Sequence, residues 1–274
     1  MVVFECVACG AALTVPLRQV DRPDHGDRQV GNGIRNMPAL MEPGTYAAGS
    51  GQILLAPGDV RGMVWIPEQF DGYCCGLDAH AVPNLACECG QQVATRVDDC
   101  SLWQVVMLRA GAVRPAGDPE PVADWEAFDW SQALRDDTDL WWHHRLAASA
   151  EVALAQVVAA AGMPLTMPDG PLADVFRQPL GELLPDGPRA MTLALAGPGL
   201  AAGADVLLVP RHPQTGEAWE VEGTVVPISA ELWRWLACTD EQPVIPATGG
   251  RWPYLDEDPL PRRPERLLLN SWLQ

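Results

Sequence analysis

Apolar residues up to about residue 114 come in short runs, bounded by proline, glycine and acid. Runs of that length predict strands over 2–5, 11–17, 52–56, 62–66, 91–97 and 102–109. Pro43-Gly44 and Pro57-Gly58-Asp59 supply turn chemistry between them. Residues 19–40 are polar, contain glycine and show no period, which predicts a long loop. Residues 115–122, dense in proline, glycine and acid, predict a linker.

Beyond that point the period changes. Residues 124–134 carry Trp125, Phe128 and Trp130 and predict one or two helical turns. A longer helix should begin near Thr138 or Asp139, either of which can cap it, and end at Gly162 ahead of Pro164. Trp142, Leu146, Ala153, Val157 and Ala160 fall at helical spacing, and the other face is largely alanine with Glu151 and Gln156 as interruptions after Arg145. A helix apolar on nearly every side predicts burial in the middle of a domain. A second helix is expected over 171–184, interrupted by Pro179. Strands return over 191–196, 206–209 and 219–226, with a hairpin-type connection at 212–217. Ser229 then caps a short helix through Leu232, Trp233, Trp235 and Leu236. The proline- and charge-rich stretch 239–266 should wrap over the surface, with Leu267, Leu268, Leu269 and Trp272 docking back.

Composition narrows the class. A chain of 274 residues, 48% hydrophobic and 20% charged, predicts a globular protein of one or two domains. No apolar run reaches the length of a membrane span, and the N-terminus lacks the basic segment of an export signal. Eight cysteines in that setting predict reduced thiols in a cytoplasm. The net charge of -18 opposes contact with phosphate backbones, so nucleic acid is not an expected partner. All eighteen basic residues are arginine. A compositional bias toward arginine codons explains that, yet it still excludes P-loop, Schiff-base and kinase-type lysines.

Two cysteine pairs carry the clearest chemistry. Cys6-Val7-Ala8-Cys9-Gly10 and Cys87-Glu88-Cys89-Gly90 each end in glycine and lead into a β-prone run. Such a turn directs two thiolates at one ion, and two turns complete a tetrahedral site for structural Zn²⁺ at Cys6, Cys9, Cys87 and Cys89. The second pair is one residue shorter than the usual C-x-x-C. Cys74, Cys75, His80 and Cys100 are therefore alternative ligands. Four reduced thiols that bind nothing are the bland alternative.

Other candidates are weaker. His143 and His144 are adjacent, so a regular helix points them about 100° apart, and no i, i+4 partner supports metal hydrolysis. One of them could act as a base beside Asp137 or Asp139, although structural histidines beside tryptophan are the ordinary case. Gly197-Pro198-Gly199 with Gly203 follows a strand, but the next strand is too close for a dinucleotide-binding helix. The acidic pairs Asp98-Asp99 and Asp136-Asp137 and the run Asp256-Glu257-Asp258 read as solvated charge. Asp98 could still support the second knuckle. Eleven tryptophans, with Trp125, Trp130, Trp141 and Trp142 around the helix start, suit core packing or a partner surface.

The stretch from Cys6 to Pro16, with Ala56–Gly62, Asp71-Gly72-Tyr73-Cys74 and Val93–Cys100, resembles uncharacterised actinobacterial proteins with a split N-terminal zinc ribbon. The resemblance covers most of residues 1–110. It implies a bacterial cytoplasmic setting and no assigned reaction, and the C-x-C knuckle departs from the usual second pair.

The expected architecture is α+β: a β-rich split zinc ribbon with a long insertion over 1–114, then an α+β domain over 124–274 with one long buried helix. The expected role is protein–protein interaction or scaffolding, through a protein partner or a second copy of the chain, around structural Zn²⁺. A hydrolase using a histidine and carboxylates of the central helical segment is the alternative, and the pattern leans away from it.

Overall fold

The structure, a computed structural model, describes residues 1–26, 39–49, 51–67, 69, 82–98, 102–130, 140–201 and 203–237, with backbone alone for 140–144. Strands and helices are mixed along the chain. The described residues form two compact units, divided between Pro121 and Val122.

The first unit is built of strands. They are β1 (Val3–Cys6), β2 (Arg18–Gln19), β3 (Thr45–Gly49), β4 (Gln52–Leu55), β5 (Met63–Trp65), β6 (Leu85–Cys87), β7 (Gln92–Val97), β8 (Val105–Arg109) and β9 (Val113–Ala116). Seven of them form one sheet in the order β2-β3-β4-β8-β7-β6-β5, while β1 pairs antiparallel with β9. Phe4, Leu13, Leu17, Leu55, Val60, Leu85, Val93, Val106 and Leu108 make one buried core, and Cys6 and Cys87 lie in it.

Two expectations need correction here. Residues 11–17 do not form a strand; they make isolated bridges, Glu5 to Ala12, Thr14 to Val60 and Val2 to Leu17. Pro16 lacks a donor, and the segment changes partner along its length. The expected linker also begins inside a strand, because Pro115 lies in β9 opposite Phe4. Proline is tolerated on such an edge, where no further N–H is required.

Asn84 fixes the start of β6. Its side-chain oxygen accepts from Arg96 N at 2.7 Å and its amide donates to Arg96 O at 2.8 Å. This amide stands in for a strand residue where the β6–β7 register shifts between Leu85 and Ala86. Asn84 is 3% exposed, so Asn84→Ala leaves two buried backbone groups without partners. The expected loss is about 2–4 kcal/mol, read from the midpoint of urea unfolding. A loss below about 0.5 kcal/mol would refute this role.

The second unit contains α1 (Leu140–Ala161), β10 (Leu165–Thr166), α2 (Pro171–Leu183), β11 (Met191–Leu195), β12 (Val206–Pro210), β13 (Thr224–Ile228) and α3 (Ala230–Ala237). Its sheet runs β10-β11-β12-β13 and every pairing is parallel. Leu193, Val206, Leu208, Val226 and Ile228 pack with all three helices, whereas Leu207 and Val209 pack with Ala196, Trp219 and Val225. The period of two thus puts helices over one face and connecting loops over the other.

The parallel β12–β13 pair overturns the hairpin expected at 212–217. Those residues do turn back locally, with Arg211 bridged to Ala218 and His212 N bonded to Glu217 O at 2.7 Å. The chain then continues to Thr224 and enters β13 in the same direction as β12.

In α1, Leu146, Ala150, Ala153, Val157 and Ala161 form the buried stripe, while Glu151, Ala155 and Ala159 face solvent. The helix expected to be buried on all sides therefore has an exposed face. Alanine scores as apolar but exposes too little surface to require burial. Gly162 ends the helix at φ +64°. The second helix runs unbroken through Pro179. Ser229 Oγ accepts from Leu232 N at 3.3 Å and caps α3. No helix among the described residues is long and apolar enough to cross a membrane.

Candidate metal centre

Two turns of the first unit bring four sulfurs together. In the first, Cys6 ends β1, Cys6 N bonds to Ala11 O at 2.9 Å, and Gly10 N returns to Cys6 O at 2.8 Å. In the second, Cys87 ends β6, Cys87 N bonds to Gln91 O at 2.8 Å, and Gly90 N returns to Cys87 O at 2.8 Å. Gly10 and Gly90 have φ of +76° and +91°, the left-handed region that side chains other than glycine resist. The second turn omits one residue and still closes as a hairpin loop ending on glycine. The short C-x-C spacing is thus absorbed by the turn, and both of its sulfurs reach the cluster.

The ligand atoms of Cys6, Cys9, Cys87 and Cys89 all lie within 4.8 Å of one another and could hold a metal ion. Cys9 Sγ is 3.5 Å from Cys87 Sγ, and Cys6 Sγ is 3.8 Å from Cys89 Sγ. A tetrahedral ion with metal–sulfur bonds of about 2.3 Å sets its sulfurs about 3.8 Å apart. A disulfide needs about 2.05 Å. The donor set and its spacing therefore fit a tetrahedral thiolate site.

The first cysteine of each knuckle is buried and the second exposed. Cys6 and Cys87 end strands and face the core, whereas Cys9 and Cys89 lie in the turns that follow, at the rim. Arg114 Nη2 approaches within 3.4 Å of the place a Cβ on Gly10 would take, and bonds Glu5 Oε2 at 2.9 Å. That places a cation beside the first knuckle of a site whose four thiolates would outweigh a divalent ion by two charges.

The thiols are not equivalent. Burial pushes Cys87 up to about 12. The Gln91 N–H, with Cys9 next, draws Cys89 down to about 7. Binding a metal requires both as thiolates. Cys87 must therefore give up its proton at any pH below 12, while Cys89 yields one only below about 7. The contribution of Cys89 to proton release on metal uptake should fall as pH rises from 6 to 8, through about 7. Titration of metal-free protein with Zn²⁺ in weakly buffered indicator dye measures this, and a release that rises over the same range would contradict it.

The remaining candidates divide as follows. Asp98 lies beyond the far end of β7 from the second knuckle and pairs with Arg96 Nη2 at 3.4 Å. Six strand residues carry it about 20 Å away, so it does not join the sulfurs. Cys74, Cys75, His80, Asp99, Cys100, Asp136, Asp137, Asp139 and the acidic run at 256–258 fall outside the described residues, as does the stretch 239–274. His143, His144, Trp141 and Trp142 lie on the first turn of α1, where only the backbone is described.

Trp125 and Trp130 are half-buried in an aromatic cluster. Trp125 stacks on Trp130 at 5.6 Å and meets Trp219 and His212 edge-on at 5.0 Å each. His212 donates from Nε2 to Ala123 O at 2.8 Å and accepts at Nδ1 from Gln214 N at 3.2 Å. It is a satisfied anchor for the strap at 122–130, a role the sequence reading missed. No local signal links 125 to 212 and 219. Gly197 is bridged to Leu200, and the strands on either side, β11 and β12, are neighbours in the sheet, with no helix between them among the described residues.

No family model, curated protein or solved structure matches the chain.

Proposed function

We propose that the protein is a scaffolding or interaction module whose N-terminal unit is a split zinc ribbon closed by one structural Zn²⁺. The observation that carries this reading is the convergence of Cys6, Cys9, Cys87 and Cys89 within 4.8 Å. Four sulfur donors fill a tetrahedral ion and leave no position for substrate or water, which is the pattern of a structural rather than a catalytic site. Thiolate donors and tetrahedral spacing favour Zn²⁺ over the harder cations.

The test is capture of a protein partner from the native host, followed by reconstitution with both proteins purified. Binding should weaken at least tenfold when the metal is chelated. Undiminished binding after chelation would remove the scaffold role from the metal unit. Ester or peptide hydrolysis that folded His143→Ala or His144→Ala abolishes would replace the reading with a hydrolase.

A further inference from the structure

We infer that the four-cysteine cluster is also an oxidation site, at which a peroxide converts the metal clamp into a disulfide clamp between the two knuckles. This deepens the structural-metal reading and rests on it for the release of an ion.

The geometry pairs unlike sulfurs. Cys9 and Cys89 are exposed, so an oxidant in solvent reaches them, whereas Cys6 and Cys87 are 0% and 1% exposed. Each exposed sulfur lies against a buried sulfur of the other knuckle: Cys9 with Cys87 at 3.5 Å, Cys89 with Cys6 at 3.8 Å. Closing either pair to bonding distance takes about 1.5–1.8 Å of movement. Turns held at glycines can supply a shift of that size. Within the second knuckle the chemistry is less favourable, because Cys87 and Cys89 are separated by one residue and would close a tight, strained ring.

The step is a two-electron oxidation by hydrogen peroxide. The exposed thiolate attacks one peroxide oxygen, the O–O bond breaks, and the departing hydroxide takes a proton to become water, leaving a sulfenic acid. The buried thiolate of the opposite knuckle then attacks that sulfur. The S–S bond forms, the S–O bond breaks, and the departing hydroxide takes a proton from solvent to become the second water. Two sulfurs have each lost one electron, and peroxide has been reduced to two waters. With two of four thiolates consumed, the site no longer holds its ion. The new bond joins residues that are far apart in sequence, so the two knuckles stay closed without metal.

Wild-type protein loaded with Zn²⁺ is treated with hydrogen peroxide. Released metal is followed with a chromogenic chelator, and disulfides are mapped by mass spectrometry of non-reduced peptides. About one ion per chain should appear, together with peptides joining Cys9 to Cys87 or Cys6 to Cys89. A variant with Cys74, Cys75, Cys100 and Cys238 all changed to Ser should give the same link. The oxidised, metal-free chain should melt at least about 5 °C above the reduced, chelated chain. Bonds within a knuckle, sulfinic acid without a cross-link, or retained metal while free glutathione in the same tube is oxidised would each overturn the inference. Peroxide treatment of chelated protein separates the two readings. A cross-knuckle link there, together with an unfolding profile that chelation leaves unchanged, sinks the structural-metal reading alone.

Discussion

Replacing Cys6 and Cys9 together by serine should abolish zinc binding and unfold the first unit. Wild-type protein should purify with about one Zn²⁺ per chain, and the double variant with none. The effect is large because Cys6 and Cys87 are core residues of that unit as well as ligands. Cys6 packs with Phe4, Leu13 and Val113, and Val7 N bonds to Ala112 O at 3.1 Å, tying the knuckle to the β8–β9 turn. Serine removes two of four donors and puts a hydroxyl where a buried sulfur stood. Structural zinc contributes on the order of 10 kcal/mol of apparent binding free energy at neutral pH, and that energy is part of folding. Such a term exceeds the whole stability of many domains. Limited proteolysis should therefore cleave the variant before Pro121 while leaving the described part of the second unit, Val122 to Ala237, protected. Thermal melting with and without a chelator gives an independent check. A chelated protein whose unfolding profile is unchanged would mean the thiols are only core residues.

The same contrast between local and distant contacts explains what could be read from the chain. A knuckle is closed within five or six residues, so Cys6-Val7-Ala8-Cys9-Gly10 and Cys87-Glu88-Cys89-Gly90 show it without reference to the rest. Ser229 as a helix cap and Gly162 as a helix end are local in the same sense, and the structure has both. Strands β4, β5, β7 and β8 were legible because each is a short apolar run. Strands β3 and β6 were not, since Ala47-Ala48-Gly49 and Ala86 are weak strand formers and these short segments exist through their neighbours. Direction was least legible. Residues 196–205 and 211–223 are long enough to return alongside a short strand, yet contain the turn residues of a hairpin. The parallel registers of β11–β12 and β12–β13 make them crossovers. Asp98 illustrates the converse error: proximity in sequence to a metal knuckle means distance in space once a strand intervenes.

Trp233→Ala should destabilise the second unit by about 3–5 kcal/mol, the range for emptying the site of a large buried aromatic. Trp233 is 1% exposed, lies in the core shared by the helices and the sheet, and meets Trp130 edge-on at 5.6 Å. Its indole N–H donates to Ala196 O at 3.0 Å, so the alanine variant also strands a buried carbonyl. The ring lies directly over Gly197. A Cβ built there would come within 2.6 Å of Trp233 Cζ2 and 2.9 Å of Pro210 Cδ. Gly197→Ala alone should therefore cost about 1–3 kcal/mol through overpacking. The two substitutions must couple, because the methyl that collides with the indole finds space once the indole is gone. In a double-mutant cycle read from urea unfolding, the pair should be less destabilising than the sum of the singles by at least about 1 kcal/mol. Proline stays in place throughout, so part of the clash persists and the rescue is partial. Additivity within about 0.5 kcal/mol would show that Gly197 serves the turn to Leu200 rather than the close approach of Trp233.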